Sequence, residues 1–156
     1  MTATVNNNFL VVGSGAREHA ICRVLHRSPQ EKKVFCLATN FNPGIDELCD
    51  DVTTGDIDDS DAVTSYAEKN GVGLAIIGPE NPLACGVADS LWEIGVKVVG
   101  PKKDLAQIET SKAFARDLLN EYNIPACPEY KTFSSMEGVI DYLNDLGENY
   151  VVKYDG

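Results

Sequence analysis

Short apolar runs alternate with longer segments of helical periodicity through about the first hundred residues. Four runs are almost continuously apolar, and all but the second stop at a glycine: residues 9–12, 34–37, 74–77 and 96–99. Helical patterns separate them, over residues 17–25 and 61–69 and along the face shared by Leu83, Val87 and Leu91. Strands that are apolar on both faces belong to parallel sheets covered by helices on both sides. With right-handed crossovers, this predicts an α/β fold, a Rossmann-like domain assigned to residues 1–100.

The pattern changes after residue 100. Two helical segments, a strand, a helix and a second strand are predicted in turn: residues 102–109, 111–122, 129–133, 135–146 and 150–153. In the second helix Phe114, Leu118 and Tyr122 share one face. We therefore assign residues 101–156 to a second domain. Only a turn signal follows the last strand, so we expect this domain to be incomplete.

The balance of charge limits the partners of the chain. Its 24 acidic and 13 basic residues give a net charge of -11. Phosphate backbones need a basic patch and none is visible, so we expect no nucleic-acid partner. A small phosphorylated ligand is compatible with an acidic protein, because backbone N–H groups and one or two local cations can hold it.

The cysteines and the apolar runs indicate the compartment. The five cysteines are scattered, without a Cys-x-x-Cys pair or a histidine at zinc-site spacing, which is typical of reduced structural thiols. The start of the chain lacks a basic region followed by an apolar stretch. The apolar runs reach only four or five residues, far short of a membrane span. We therefore expect a cytoplasmic protein with no membrane partner.

A glycine-rich loop separates the first predicted strand from the first helix, at residues 13–19. In an open α/β sheet this is the carboxyl end of a strand, where ligands bind. Gly13 and Gly15 would let the backbone approach a phosphate, and the helix start adds N–H groups. A dinucleotide fingerprint needs a further glycine where Glu18 stands, and a carboxylate there would repel a pyrophosphate. A tight turn that only packs the helix on the sheet remains an alternative.

The loop reads Val-Val-Gly-Ser-Gly-Ala-Arg-Glu-His-Ala at residues 11–20. It resembles the opening of the glycinamide ribonucleotide synthetases (phosphoribosylamine–glycine ligases), which usually have Gly-Ser-Gly-Gly-Arg-Glu-His. Further family motifs follow in family order, at residues 42–44, 77–83, 99–101, 107–114, 122–125 and 151–156. The chain departs from the family at Ala16, at residues 39–41 and at Arg116. Each motif alone is weak, but the ordered set is specific.

The resemblance implies that the amino-terminal domain helps to bind phosphoribosylamine, with the glycine-rich loop near its phosphate. Carried onto this chain, the substrate-binding residues of the loop are Gly13, Ser14, Gly15, Ala16, Arg17 and Glu18. A second interpretation of Glu18 stays open, in which the buried carboxylate caps its helix or pairs with a cation. We interpret His19 as a hydrogen-bonded structural residue and His26 as a solvated surface residue.

A second group of candidates follows the strand at residues 74–77, namely Gly78, Pro79 and Glu80. A carboxylate at the carboxyl end of a strand is well placed to bind ribose hydroxyls or an amine. The alternative is a helix-entry turn, with Glu80 in the first turn and Pro82 near its start. Because strand ends collect ligands in this fold, we assign all three residues to the substrate site.

Lys112 and Lys153 resemble the two lysines that ATP-grasp enzymes place against nucleotide phosphates. The resemblance identifies the first domain as a pre-ATP-grasp domain and the second as the beginning of an ATP-grasp domain. It implies ATP with Mg²⁺ or Mn²⁺ in the intact enzyme. The glycine-rich lid and the acidic metal ligands would follow the last residue, so we expect no metal ligand and no tightly bound nucleotide here. The resemblance leaves the catalytic residues unassigned.

The function implied is the ATP-dependent ligation of glycine to 5-phosphoribosylamine, giving glycinamide ribonucleotide, ADP and phosphate in purine biosynthesis. The substrates are small molecules, we expect a monomer, and we expect this chain alone to be inactive. The alternative is a standalone Rossmann-type module that binds a phosphorylated metabolite without catalysis. A different ATP-grasp ligase, such as a carboxylase, fits the Gly-Ser-Gly-Ala-Arg-Glu-His loop less well.

Overall fold

The computed structural model describes residues 7–155. Residues 1–6 and Gly156, which belong to the two predicted domains, lie outside the described residues. The strands are β1 (Asn8–Val12), β2 (Lys33–Ala38), β3 (Asp51–Thr54), β4 (Leu74–Ile77) and β5 (Lys97–Val99). The helices are α1 (Ala16–Arg27), α2 (Pro43–Asp46), α3 (Ser60–Lys69), α4 (Glu80–Cys85), α5 (Val87–Glu93), α6 (Lys103–Thr110), α7 (Lys112–Glu121) and α8 (Val139–Leu146).

The strands form one parallel sheet in the order β3-β2-β1-β4-β5. β1 lies in the middle, where Val11 pairs with Cys36 of β2 on one side and with Ile76 of β4 on the other. The chain builds the sheet outward from β1 to β3 and then returns to add β4 and β5 on the opposite side. The strand order therefore reverses between β1 and β4, which makes this the topological switch point. The predicted α/β, Rossmann-like sheet is confirmed.

Both faces of the sheet are buried, because successive side chains of a strand point to opposite faces and every residue of the central strand is apolar after Asn8. Leu10 and Val12 belong to one core cluster, which also contains Leu91 of α5. Val11 belongs to a second cluster with Cys22 of α1. All five side chains are fully buried. Helices on both faces thus explain why β1 reads as a continuous apolar run.

The cysteines are free thiols, and Cys22 and Cys36 are buried. A hydrogen bond with Cys36, together with burial, raises the pKa of Cys22 to about 12. Contact with Cys22 and burial also raise the pKa of Cys49. The thiols of Cys22 and Cys49 therefore stay protonated at neutral pH, and the buried Cys22 and Cys36 pack as small hydrophobes. This matches the structural role predicted for them.

Two elements between β2 and α3 were not predicted from the sequence. β3 has one apolar residue, Val52, and pairs with β2 at the edge of the sheet, so it lacks the continuous apolar run of a central strand. α2 begins at Pro43, and the side chain of Asn42 accepts the backbone N–H of Gly44 at 3.0 Å. This combination of a side-chain cap and an early proline starts the helix.

The single helix predicted along Leu83, Val87 and Leu91 is divided into α4 and α5 by Gly86. Gly86 has φ of 90°, a left-handed conformation that favours glycine because it has no Cβ. The three apolar residues are nevertheless buried in the large core cluster. The predicted apolar face is therefore right, although the helix is interrupted.

The chain divides into two compact units, one reaching to Ala106 and one beginning at Gln107. Ala106 is buried in the core of the first unit, which places the start of α6 with that unit. That residues 1–100 and 101–156 act as two functional domains stays a prediction, because the division at Ala106 concerns compactness alone. In the described part of the chain, no helix has the length and apolarity needed to cross a membrane.

The strands predicted at residues 129–133 and 150–153 are wrong, since neither segment forms a strand. A strand is stable only when a neighbour completes its backbone hydrogen bonds, and these two segments do not pair with each other. Val151 and Val152 are 79% and 68% exposed. Lys153 therefore does not end a buried strand as predicted. The helix predicted from residue 135 starts later, at Val139, after Gly138.

Candidate functional site

A cleft of about 380 Å³ lies at the carboxyl ends of the strands in the first unit. Its walls come from the segments that follow β1, β2, β3 and β4, through Ser14, Thr39, Asp58 and Asn81 among others. The loops after β1 and β4 face each other across the switch point. In open α/β sheets this crevice is where ligands bind. The fold therefore places both predicted substrate loops at one cleft.

The loop after β1 is fixed to the sheet by its backbone. Gly13 has φ of 120°, a conformation that favours glycine, and its N–H donates to the carbonyl of Leu37 at 2.9 Å. Its own carbonyl accepts the thiol of Cys36 at 3.3 Å. α1 then begins at Ala16 and runs for 12 residues. The first N–H groups of such a helix lack intrahelical acceptors and carry the positive end of its dipole, so this wall of the cleft is chemically suited to an anion.

Glu18 is buried beneath this wall, with 3% of its surface exposed. Its Oε2 accepts the backbone N–H of Gly15 at 2.6 Å, so the side chain caps the start of α1. Glycines surround the carboxylate. A Cβ at Gly13 would lie 2.8 Å from Glu18 Cγ, and one at Gly78 would overlap Glu18 Oε1. The glycines thus make room for Glu18, and the capping role considered for it is confirmed, while its contact with substrate stays a prediction.

Arg17 connects the two loops. Its Nη2 lies 3.3 Å from Oε2 of Glu80, and its Nε lies 4.0 Å from Oε1 of Glu18. The side chains of Arg17 and Glu80 are 68% and 52% exposed. A hydrogen bond from its own backbone N–H, together with Arg17, holds the pKa of Glu80 below its ordinary value. The cleft is therefore lined by the accessible guanidinium of Arg17, which pairs with the accessible, ionised carboxylate of Glu80 at the start of α4.

The segment after β2 braces the glycine-rich loop. The side-chain amide of Asn42 donates to the carbonyl of Ser14 at 2.9 Å. The ring of His19 packs against Gly44, where a Cβ would lie 2.9 Å from the ring carbon Cε1. These contacts explain why an Asn-Pro-Gly segment accompanies the loop. The hydrogen bond expected for His19 stays a prediction, whereas His26 is exposed as predicted and its Nδ1 lies 3.2 Å from the carbonyl of Leu48.

Four polar residues of the cleft were missing from the sequence prediction: Thr39, Asp56, Asp58 and Asn81. Each follows a strand or begins the helix after one. The rule that strand ends bind ligands would have identified Thr39 and Asn81. It could not have identified the two aspartates, because β3 was not recognised.

The comparisons with known proteins address the family directly. The family described as Phosphoribosylglycinamide synthetase, N domain, matches residues 7–109. The chain belongs to this family. The resemblance drawn from the motifs is confirmed.

Curated proteins named phosphoribosylamine–glycine ligase are similar to almost the whole chain. The protein from Methanosarcina barkeri is 42% identical over 140 residues, covering 90% of this chain and 32% of its own length. Those from Methanopyrus kandleri and Pasteurella multocida are 44% and 39% identical, covering 94% and 96% of this chain. They are covered over 33% and 34% of their own lengths. The chain thus spans about a third of the length of the relatives it matches.

Solved structures of low identity support the fold. N5-carboxyaminoimidazole synthetase from Staphylococcus aureus, complexed with ADP, has a TM-score of 0.67 at 12% identity and covers 90% of this chain and 36% of its own. Phosphoribosylglycinamide synthetase from Anaerococcus prevotii has a TM-score of 0.53 at 17% identity, covering 76% and 29%. At these identities the likeness shows the architecture alone.

In the second unit, the motif at residues 107–114 and the motif at residues 151–156 are in contact at the start of α7. Ser111 caps the helix by accepting the N–H of Phe114 at 3.0 Å. Asp155 accepts the N–H of Ala113 at 3.0 Å and the hydroxyl of Ser111 at 2.9 Å. The Ala113 amide and the Ser111 hydroxyl lower the pKa of Asp155. Residues 153–155 are thereby tied to the turn that contains Lys112.

Lys112 is the first residue of α7, and Lys153 lies in an exposed segment two residues before Asp155. Both belong to the second unit. Within residues 7–155, no group of three or more His, Cys, Asp or Glu side chains is arranged to hold a metal ion.

Proposed function

We propose that the chain is the substrate-side part of a phosphoribosylamine–glycine ligase. The intact protein would join glycine to 5-phosphoribosylamine with ATP, giving glycinamide ribonucleotide, ADP and phosphate in purine biosynthesis. The observation that supports this best is the cleft at the switch point, formed by two family motifs in a chain about 40–45% identical to curated ligases.

In this proposal the α1 start and Arg17 hold the phosphate of phosphoribosylamine. The helix N–H groups and the guanidinium supply the positive potential, and Arg17 is accessible enough to leave Glu80 for a phosphate. Glu80 would then accept hydrogen bonds from ribose hydroxyls or from the amine. Ser14, Gly15 and Pro79 line this wall, and Ala16 begins α1 beside them. Gly13 and Gly78 leave room for Glu18, which caps the helix start.

The chemistry would depend on positioning. ATP, with Mg²⁺ or Mn²⁺, would activate the carboxylate of glycine, and the amine held in the cleft would attack it to form the amide. Orientation of two bound reactants can supply a large part of such a rate enhancement. The role of this chain is to hold the amine-bearing sugar phosphate in one orientation.

For the nucleotide, Lys112 and Lys153 fit as point charges that neutralise phosphate oxygens. The contacts of Asp155 with Ser111 and Ala113 support this, because they connect the segment of Lys153 to the helix start of Lys112. We also propose a cytoplasmic monomer whose partners are small molecules, in keeping with a net charge of -11.

Titration of the ¹⁵N-labelled chain with ribose 5-phosphate tests the proposal. We expect amide shifts at residues 13–18 and 78–80, and at least about tenfold weaker binding by Arg17→Ala, since a charge-assisted contact is lost. Arg27→Ala, which removes the same charge at the far end of α1, is the matched control and should bind like wild type. No shifts at these residues, or equal weakening by both variants, would reject it.

The alternative, a binding module without catalysis, would use the same cleft. The two hypotheses differ in what the intact protein makes. Formation of glycinamide ribonucleotide from phosphoribosylamine, glycine and ATP by the intact protein excludes the binding module. Binding of ribose 5-phosphate by the intact protein without product formation supports the binding module. We expect the 156-residue chain alone to form none.

A further inference from the structure

The glycine-rich loop holds a buried anion of its own. The side chain of Glu18 lies at the start of α1 and lines the cleft, yet 3% of the residue is exposed. Its Oε2 accepts the backbone N–H of Gly15 at 2.6 Å. The carboxylate therefore already uses a backbone donor at the helix start that an inner phosphate would need.

Three glycines accommodate this carboxylate from two loops that are far apart in the sequence. A Cβ at Gly15 would lie 2.9 Å from Oε2, one at Gly13 would lie 2.8 Å from Cγ, and one at Gly78 would overlap Oε1. The space that glycines leave for a pyrophosphate in a dinucleotide site is therefore taken by Glu18. The loop keeps the geometry of a phosphate site, but the carboxylate of Glu18 occupies the place where an inner phosphate would bind.

The second carboxylate oxygen has no hydrogen-bond partner among the described residues. Oε1 is buried, and Arg17 Nε is 4.0 Å away, beyond hydrogen-bond distance. Its negative charge is therefore only partly compensated at the floor of the cleft. A second phosphate placed beside the first would meet this charge, whereas a single phosphate at the outer rim would meet Arg17.

We propose that Glu18 is a specificity-determining residue, which confines the cleft to ligands with a single phosphate and excludes diphosphates. This inference rests on the proposed function and assigns to one residue of the loop the rejection of a second phosphate. The carboxylate acts as an internal anion: it stabilises the loop through the Gly15 N–H and repels an inner phosphate through Oε1.

Two probes that share a 5-phosphoribosyl group test the inference: ribose 5-phosphate and ADP-ribose, each titrated while the amide signals of residues 13–18 are followed. Wild type should bind ribose 5-phosphate at least about tenfold more tightly, because one buried charge opposes the second phosphate. Equal affinity for the two probes overturns the inference. This comparison needs no variant, so it can overturn the inference even if a substitution unfolds the chain.

Glu18→Gln then separates charge from shape, since glutamine keeps the size and the oxygen that caps Gly15. We expect the preference for ribose 5-phosphate over ADP-ribose to fall roughly tenfold, because the diphosphate binds better once the charge is removed. Glu68→Gln, at the far end of α3, removes one exposed charge and should leave both affinities unchanged.

The outcomes separate the two proposals. If wild type binds neither probe in the cleft, the proposed function fails. If wild type prefers ribose 5-phosphate but a folded Glu18→Gln variant gains nothing for ADP-ribose, the function stands and the role of the Glu18 charge is refuted.

Discussion

At the scale of single residues, Glu18 decides how the glycine-rich loop is interpreted. The sequence suggested glycines that admit a ligand phosphate, and the structure shows glycines that admit a side chain. Gly78 shows this most clearly, because it lies 60 residues from Glu18 in the chain and is in contact with its carboxylate. No local pattern contains that contact, so it could not have been predicted from one sequence. The sequence left two interpretations of Glu18 open, a substrate-binding residue or a buried carboxylate that caps its helix.

Gly78→Ala should lower the free energy of unfolding by about 2–3 kcal/mol, because the new methyl group overlaps Glu18 Oε1 in a packed site. Urea denaturation measures this. Gly55→Ala, where the nearest side chain would be 3.4 Å away, should change stability by less than about 0.5 kcal/mol. In a Glu18→Ala background the cost of Gly78→Ala should shrink by at least about 1 kcal/mol. An undiminished cost would mean that the two residues do not compete for space.

At the scale of elements, the site depends on the segment between β2 and β3 as much as on α1. Asn42 caps α2 through its side-chain oxygen and holds the Ser14 carbonyl through its amide. The sequence predicted no element in this segment, and its bracing role follows only from the fold. By contrast, β1, β2, β4 and α1 were predictable, because continuous apolarity and helical spacing depend on neighbouring residues alone.

Asn42→Ala should cost about 1 kcal/mol of stability, the usual value of a lost helix cap, and weaken ribose 5-phosphate binding severalfold because the Ser14 carbonyl loses its donor. Thermal unfolding and the amide titration measure the two effects. Asn40→Ala, in the exposed part of the same segment, should affect neither. Full affinity in a folded Asn42→Ala variant would show that the brace does not support the site.

The buried thiol of Cys22, in α1, makes the stability of the fold depend on alkaline pH. The folded-state pKa of Cys22, about 12, lies above its ordinary value of 9.0, so its contribution is complete below pH 9 and is lost as pH rises toward 12. Between pH 8 and pH 10, in reducing buffer, Cys22 should account for about 1 kcal/mol of lost stability. Cys22→Ala should flatten this decline, and Cys85→Ala, at an exposed thiol, should not. Equal slopes in all three proteins would contradict the assignment.

At the scale of the whole molecule, the two units differ in how well the sequence predicts them. The first has a sheet whose central strands carry continuous apolar runs, and there the edge strand β3, the short helix α2 and the break at Gly86 were missed. In the second, the apolar run at residues 150–152 suggested a strand, but strand formation depends on a pairing neighbour that the run itself cannot indicate. The cleft lies wholly in the first unit, which is why its architecture was accessible from sequence.

A crystal structure of the chain with ribose 5-phosphate tests the assignment of the cleft most directly. We predict the phosphate at the start of α1, bound by backbone N–H groups of the first turn and by Arg17, with the ribose hydroxyls toward Glu80 and Glu18 still bound to Gly15. A phosphate bound elsewhere, for example at the start of α7, with the Arg17–Glu80 pair unchanged, would contradict the assignment of this cleft as the sugar-phosphate site.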